Sequence, residues 1–176
     1  MASSTQSVVK KEEAALNELM KQAEEAKPQD EMLFGGWIYN RSNTAKKTMH
    51  LYAEKTWSGK FYYKYSETLE ESTGFTQTGQ KEKGIKAAVV YSLKTSDDPF
   101  NHYGFLLAWS DSFNEGNHTR KVYGSCGLLE KFQNIDWDKV EKDLDASTSS
   151  SSYIDAYTRT SVKAEIVANV VYADFN

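Results

Sequence analysis

Apolar and polar residues alternate along two neighbouring segments in the middle of the chain. Residues 85–94 carry Ile, Ala, Val, Tyr and Leu at every second position, and residues 103–111 carry Tyr, Phe, Leu and Trp in the same way. A two-residue period is typical of strands that bury one face and expose the other. Ser-Asp-Asp-Pro at 96–99 lies between the two segments and is a strong turn signal. The pattern therefore predicts an antiparallel pair at the centre of a mainly β protein.

Further strands and loops are predicted on both sides of this pair. Strands are expected at 32–40, in a hairpin formed by 46–57 and 60–66, at 121–126, and as one long strand at 161–172. Three polar stretches, 67–83, 112–120 and 147–152, are expected to be surface loops. Seven or more strands with long polar connections favour a β-sandwich, and a closed barrel is the competing architecture.

Two segments have a helical pattern. Residues 7–27 repeat apolar positions at a spacing near 3.6 and end at Lys27-Pro28, where proline disfavours a helical residue before it. The stripe is narrow and rich in alanine, so the helix could pack on its own sheet, extend as a solvated arm, or enter a membrane interface. Residues 136–144 predict a short helix capped by Asp136. We expect a helical arm at 1–30 followed by a sandwich domain at 31–176.

Charge and cysteine content narrow the function classes. The 176 residues include 25 acidic and 21 basic side chains, for a net charge of −4. This balance argues against nucleic acid as a partner and against strong attraction to anionic lipid, because both need a concentrated basic face. The single cysteine excludes an intrachain disulfide, and the chain shows neither a signal-peptide pattern nor a transmembrane run. We therefore expect a cytoplasmic protein.

The residues that usually carry catalysis or bind metals form no recognisable motif. His50, His102 and His118 are not at metal-ligand spacing, and Cys126 is not part of a nucleophile elbow. A lone cysteine of this kind is usually a small buried hydrophobic residue. We expect no catalytic residue, no metal, no cofactor and no enzymatic activity.

Aromatic residues are the remaining functional signal. They make up 13% of the chain and include 11 tyrosines, which is more than one core needs. Exposed tyrosine and tryptophan rings stack on sugars or lie at lipid headgroups, because each has an apolar body and a polar tip. Binding is expected at one end of the sandwich, where loops extend from a rigid frame. The candidates adjoin turns or polar loops: Trp57, Tyr62, Tyr103 and Tyr153.

Four segments carry a resemblance to a known family. Lys-Ala-Ala-Val-Val-Tyr at 86–91, Gly-Phe-Leu-Leu-Ala-Trp-Ser-Asp at 104–111, Lys-Val-Tyr at 121–123 and Ile-Asp-Trp-Asp at 135–138 resemble the plant jasmonate-induced protein family. The resemblance covers about residues 34–174, and its motifs are packing motifs. That family is distantly similar to the actinoporin-like lipid-binding proteins, among them nakanori, a fungal sphingolipid-binding protein.

The resemblance implies an actinoporin-like β-sandwich and a stress- or jasmonate-responsive plant protein without enzymatic activity. It also implies a lipid headgroup or a glycan as the ligand. The alternative function is a stress protein that acts through protein contacts, with the N-terminal helix as the docking element. That helix is acidic and poor in bulky apolar residues, which argues against pore formation. Ligand identity, oligomeric state and the partner of the helix are open at the level of sequence.

Overall fold

The computed structural model describes residues 3–42 and 47–176, and it places the side chains of residues 10–42, 47–98 and 100–176. Residues 1, 2 and 46, which fall within the predicted arm and hairpin, lie outside the described residues. The two helices are α1 (Ser3–Ala26) and α2 (Trp137–Asp145). The strands are β1 (Glu31–Asn40), β2 (Met49–Ser58), β3 (Lys60–Tyr63), β4 (Thr68–Leu69), β5 (Ser72–Gln80), β6 (Ile85–Lys94), β7 (His102–Asn114), β8 (Asn117–Leu128), β9 (Ser150–Asp155), β10 (Thr160–Val167) and β11 (Val170–Phe175).

The strands form two sheets that pack face to face, which confirms the predicted β-sandwich. One sheet has six strands in the order β3-β5-β1-β11-β10-β9, and the other has five in the order β4-β2-β6-β7-β8. Neighbouring strands are antiparallel except for the parallel pair β1 and β11. Aromatic rings join the sheets: Phe75 stacks on Trp109 with centroids 4.5 Å apart, and Phe105 stacks on Phe175 at 5.4 Å. Such pairs stabilise a core beyond the area they bury.

The predicted central hairpin is confirmed. Strands β6 and β7 pair without interruption from Ile85 opposite Asp111 to Lys94 opposite His102. Their alternating face carries fully buried residues such as Tyr91, Leu107 and Trp109. The opposite face, which the pattern predicts to lie in water, is buried as well: Ala88, Val90 and Ala108 are 0% exposed and belong to the apolar cluster that α2 covers.

Helix α1 packs on the outer face of the six-stranded sheet. Leu16 and Ala23 are 3% and 0% exposed, and the helix contacts β1, β5 and β3. A Cβ on Gly35 would lie 2.4 Å from the Met20 sulfur, so this glycine allows the helix to approach the strand. The sequence left three placements of this helix open: on the sheet of the same chain, as a solvated arm, or in a membrane interface. In the structure it packs on the sheet of the same chain. It ends at Ala26, as the proline after Lys27 predicts.

Helix α2 covers the outer face of the five-stranded sheet. Asp136 caps it by accepting a hydrogen bond from the backbone N–H of Lys139 at 3.0 Å, as predicted. Val140 and Leu144 are buried in a second, smaller apolar cluster that also contains Phe132. Both sheets are thus covered on part of their outer face by one helix.

The prediction of a surface loop at 67–83 is wrong. Residues 72–80 form the buried strand β5, although their sequence is almost entirely polar. One face of the strand meets the core, where the fully buried Gln77 accepts a hydrogen bond from the Trp109 indole at 3.0 Å. The other face lies under α1, and Gly74 leaves room for the Trp37 ring. Burial on both faces removed the alternation that marks a half-exposed strand.

Three other boundaries differ from prediction. The expected loop at 112–120 is mostly strand, because β7 and β8 run to a two-residue turn at Glu115 and Gly116, both with positive φ. The serine-rich stretch at 147–152 contributes to β9, where Ser151 accepts a hydrogen bond from the Gly124 N–H at 3.1 Å. The long final strand is two strands, because Ala168 turns the chain with φ of 53°.

Candidate functional site

The sandwich has two ends with different connections. The loop end comprises residues 95–101, 128–133 and 155–159, and the hairpin end comprises the turns at 58–60, 81–84, 115–116 and 168–169. Pairing within β6 and β7 separates them: Leu93 opposite Tyr103 lies at the loop end, and Lys86 opposite Ser110 lies at the hairpin end.

The structure separates the four predicted binding rings into two pairs. Tyr103 and Tyr153 are half-buried at the loop end, whereas Trp57 and Tyr62 belong to the β2–β3 hairpin toward the opposite end. Trp57 is partly buried and packs edge-on against Trp137 of α2, with ring centroids 6.1 Å apart. Tyr62 is 50% exposed. The expectation that all four share one end is therefore wrong, and their role in binding stays a prediction.

Tyr153 and Tyr103 pack against their neighbours close to the loop end. The Lys131 ammonium lies 4.6 Å from the centroid of the Tyr153 ring, within the range of a cation–π contact. It also donates to the Ser125 hydroxyl at 2.8 Å and to the Cys126 carbonyl at 3.0 Å. Tyr103 packs on the main core with its ring. Both rings are half-buried side chains of strands rather than exposed tips of loops.

A cavity of about 530 Å³ lies at the same end of the sandwich. Its lining includes Glu130, Lys131, Asp155 and Tyr157, and neither Tyr103 nor Tyr153 is part of it. Two hydrogen bonds from Thr158, one from its hydroxyl at 2.6 Å and one from its N–H at 2.8 Å, hold the pKa of the Asp155 carboxyl below its ordinary value. The cavity therefore presents a carboxylate and an ammonium group beside the Tyr157 ring.

Two large apolar side chains are exposed on connections at the loop end, and one of them, Tyr157, lines this cavity. Phe100, in the β6–β7 connection, is 69% exposed, and Tyr157, in the β9–β10 turn, is 79% exposed. The sequence analysis missed both residues. Each lies at the tip of a turn stabilised by aspartate: Asp98 accepts from the Phe100 N–H at 3.0 Å, and Asp155 accepts from Thr158. An aromatic residue one or two positions after a turn-forming aspartate was the signal that could have found them.

A second cavity, of about 420 Å³, lies on the outer face of the six-stranded sheet. There the Arg41 guanidinium stacks 4.3 Å from the Tyr39 ring centroid and pairs with Asp174 at 3.2 Å. Burial raises the pKa of Tyr39 to about 12. The Arg41 guanidinium and the Asp174 carboxylate of this face are thus paired with each other.

Groups suited to catalysis or metal binding remain scattered. Within residues 3–42 and 47–176, no cluster of three or more His, Cys, Asp or Glu side chains is arranged to hold a metal ion. Cys126 is buried, as expected, and burial raises the pKa of its thiol, which opposes formation of a reactive thiolate. No helix of the described part of the chain is long and apolar enough to cross a membrane.

The architecture defines the class of protein to which this chain is similar. Its fold matches the crystal structure of the lipid-binding protein Nakanori with a TM-score of 0.67, over 93% of this chain and 78% of that one. The two sequences are 15% identical over the match, so the likeness establishes the fold alone. It confirms the sandwich expected from the family resemblance.

A relative by sequence gives the second comparison. The chain is 28% identical over 141 residues to the "Jasmonate-induced protein homolog" of Atriplex canescens. The match covers 77% of this chain and 75% of that protein. It confirms the resemblance carried by the packing motifs. No protein-family model matches the chain.

Proposed function

We propose that this protein is a non-enzymatic binding module that engages a lipid headgroup at a membrane surface through its loop end. The observation that carries this proposal is the pair of exposed rings, Phe100 and Tyr157, at the loop end of the sandwich, where Tyr157 also lines a cavity. Large apolar side chains so exposed at loop tips mark interaction surfaces. Tyrosine and other aromatic rings are favoured at the boundary between lipid and water.

The two rings supply enough free energy for weak, reversible membrane binding. Full burial of a large apolar side chain contributes roughly 1.5–3 kcal/mol, so two rings together contribute about 3–6 kcal/mol before the cost of association. A single contact of this size does not anchor a protein. The cavity that Tyr157 lines would add the specificity and the remaining affinity.

The groups in the cavity favour a zwitterionic headgroup. Asp155 offers a carboxylate to a cationic group, and aromatic rings attract such cations through their faces. Lys131 offers a positive charge to a phosphate, which could replace its longest hydrogen bond, the 3.3 Å contact with the Tyr153 hydroxyl. The net charge of −4 disfavours a strongly anionic surface.

The comparisons support a lipid ligand and a plant stress role. The structural neighbour is named as a lipid-binding protein, and the sequence relative is named as jasmonate-induced. We infer that this chain acts in a stress response inside the cell, with the sandwich domain at 31–176 as the binding unit. A glycan is the competing ligand, because sugars stack on the same rings.

Vesicle flotation with headgroup-matched liposomes tests this proposal. Liposomes of phosphatidylcholine, of phosphatidylcholine with phosphatidylserine, and of phosphatidylcholine with a neutral glycolipid separate zwitterionic, anionic and sugar recognition. We expect binding to the first, no gain from the second, and a loss of about tenfold or more for Phe100→Ser with Tyr157→Ser, since each ring contributes roughly 1.5–3 kcal/mol when buried.

Tyr62→Ser with Tyr63→Ser is the matched control, because these rings are 50% and 49% exposed away from the loop end. Equal loss in both double variants would contradict a site at the loop end. Binding that requires the glycolipid would replace the lipid headgroup with a glycan as ligand. No flotation with any of the three compositions would refute the proposed function.

A further inference from the structure

At the hairpin end, a fully buried carboxylate holds two basic side chains. Asp111 is 0% exposed; its Oδ1 accepts from His118 Nδ1 at 2.8 Å, and its Oδ2 accepts from Arg120 Nε at 3.0 Å. Asp111 faces Arg120 directly across β7 and β8, and His118 lies two residues along the same strand face. A buried carboxylate needs such partners, and in turn it fixes their orientation.

The outward-facing atoms of His118 and Arg120 border open space. The two side chains are 34% and 24% exposed, and both line two adjacent cavities of about 310 and 420 Å³ that share Ala168. Among the described residues, neither the Nη atoms of Arg120 nor Nε2 of His118 has a hydrogen-bond partner. The guanidinium therefore offers a donor fork that suits a carboxylate or phosphate. With Nδ1 donating to Asp111, the neutral imidazole offers Nε2 as an acceptor.

The other charges of the cleft leave its positive groups available to a ligand. Glu24 pairs with Lys27 at 3.0 Å, and Glu31 pairs with Lys60 at 3.2 Å. Lys81 also lines the cleft, with its ammonium 5.6 Å from the centroid of the Phe113 ring. Among the described residues that line the cleft, the Lys81 ammonium and the Nη atoms of Arg120 are thus the cationic groups that no carboxylate on the cleft surface pairs with.

One acidic atom of the lining indicates that the ligand also carries a hydroxyl group. Glu31 Oε2 is buried and has no hydrogen-bond partner within the described residues. A buried carboxylate oxygen without a donor is costly, and a ligand that supplies a donor would remove that cost. His118 Nε2 and Glu31 Oε2 are therefore two acceptors that a hydrogen-bond donor of the ligand can satisfy, beside the anionic group that Arg120 would bind.

We propose that this cleft binds a small organic oxyanion that carries a neighbouring hydroxyl group, such as a hydroxycarboxylate or a sugar phosphate. Arg120 and Lys81 receive the oxyanion, and His118 and Glu31 accept hydrogen bonds from the hydroxyl groups. Asp111 is a positioning residue that touches no ligand. The cleft lies at the end opposite to the proposed lipid site, and its occupancy does not depend on that site.

Malate and succinate are a matched pair of probes, because they differ only in one hydroxyl group. Calorimetric titration, with amide chemical shifts to locate the site, should show malate binding more tightly than succinate by about tenfold, the effect of a hydrogen bond to a charged group. Glycerol phosphate and inorganic phosphate form a second pair that separates the phosphate and carboxylate classes. The expected shifts lie at residues 118–120 and 168–169.

Three variants test the assigned roles. Arg120→Lys keeps a charge for Asp111 but removes the fork, His118→Asn keeps the donor to Asp111 but removes Nε2, and Glu31→Gln removes the acidic acceptor. Each should weaken malate binding by about tenfold, and Glu31→Gln should also narrow the difference between malate and succinate.

Lys83→Gln is the control, since Lys83 is an exposed lysine at the same end that does not line the cleft. Equal affinity for malate and succinate would overturn the requirement for a hydroxyl group. Loss of affinity in Lys83→Gln as large as in Arg120→Lys would show diffuse charge attraction in place of a site. No shift at these residues with any probe at millimolar concentration would overturn the proposal.

Discussion

Removal of the hydrogen bond between Gln77 and Trp109 tests most directly how the polar strand β5 is stabilised inside this sandwich. Both side chains are fully buried. Gln77 accepts from the Trp109 indole at 3.0 Å and donates from its amide to the Ser58 carbonyl at 3.1 Å. Gln77→Leu keeps the approximate volume and removes both bonds, so it leaves the Trp109 indole N–H unpaired in the core and frees the carbonyl of the half-buried Ser58.

A buried group left without a partner costs about 1–3 kcal/mol, so the unpaired Trp109 indole should lower the free energy of unfolding by roughly 1–3 kcal/mol. For a protein of this size, 1 kcal/mol corresponds to about 2–4 °C in Tm, which predicts a fall of about 2–12 °C by calorimetry. Chemical denaturation measured by near-ultraviolet circular dichroism gives the free energy independently, because Trp109 dominates the packed aromatic core.

Gln80→Leu is the matched control, because Gln80 is exposed at the end of the same strand, and surface changes of this kind stay within about 0.5 kcal/mol. The double variant Gln77→Leu with Trp109→Phe removes donor and acceptor of the central bond together, so its loss of stability should be smaller than the sum of the losses in the two single variants. If Gln77→Leu were as stable as Gln80→Leu, the account of β5 as a strand buried through satisfied polar groups would be refuted.

Three further predictions follow from packing, capping and titration. Gly36→Ala should destabilise the fold by about 1–3 kcal/mol or more, because its Cβ would lie 2.2 Å from the Phe75 ring; a normal calorimetric Tm would contradict that contact. Asp136→Ala should cost about 0.5–2 kcal/mol through loss of the α2 cap, whereas Asp136→Ser should retain most of the stability in the same melt. Stability should fall as pH rises above about 10, because burial raises the pKa of several tyrosines, Tyr39 to about 12, above the value of the unfolded chain. Phenolate absorbance should therefore appear in two steps in a pH titration, and a single step near pH 10 would contradict the burial.

Local sequence patterns predicted the elements whose apolar residues recur at a regular period. The alternation in residues 85–94 and 103–111 predicted the antiparallel pair β6 and β7, although the face expected in water is buried under α2. Asp136 with its apolar stripe predicted α2. Residues 72–80 escaped prediction because the strand is buried on both faces and its central Gln77 finds a hydrogen-bond partner far along the chain, at Trp109. The serine stretch at 150–155 became a strand because β10 and β8 lie on either side of it. Such long-range pairing leaves no period in the sequence.

The sequence predicted the chemistry of the candidate site better than its residues. Aromatic rings at one end of a sandwich were expected, and the loop end presents them. Phe100 and Tyr157 were missed because each is a single residue within a short turn. Only the pairing of strands distant in the chain brings their two connections to the same end of the sandwich. Trp57 adjoins a turn, as expected, yet Trp137 of a later helix covers part of its ring.

Site-specific fluorescence on vesicles tests the central claim, that the loop end meets the lipid surface, most directly. Cys126 is buried and should not react with a label, so an environment-sensitive dye can be attached at Ala156→Cys, beside Tyr157, or at Lys83→Cys at the hairpin end; both positions are exposed. On addition of phosphatidylcholine vesicles, the account predicts a blue shift and a gain in emission at position 156 and no change at position 83. A change at position 83 alone, or equal changes at both positions, would contradict it.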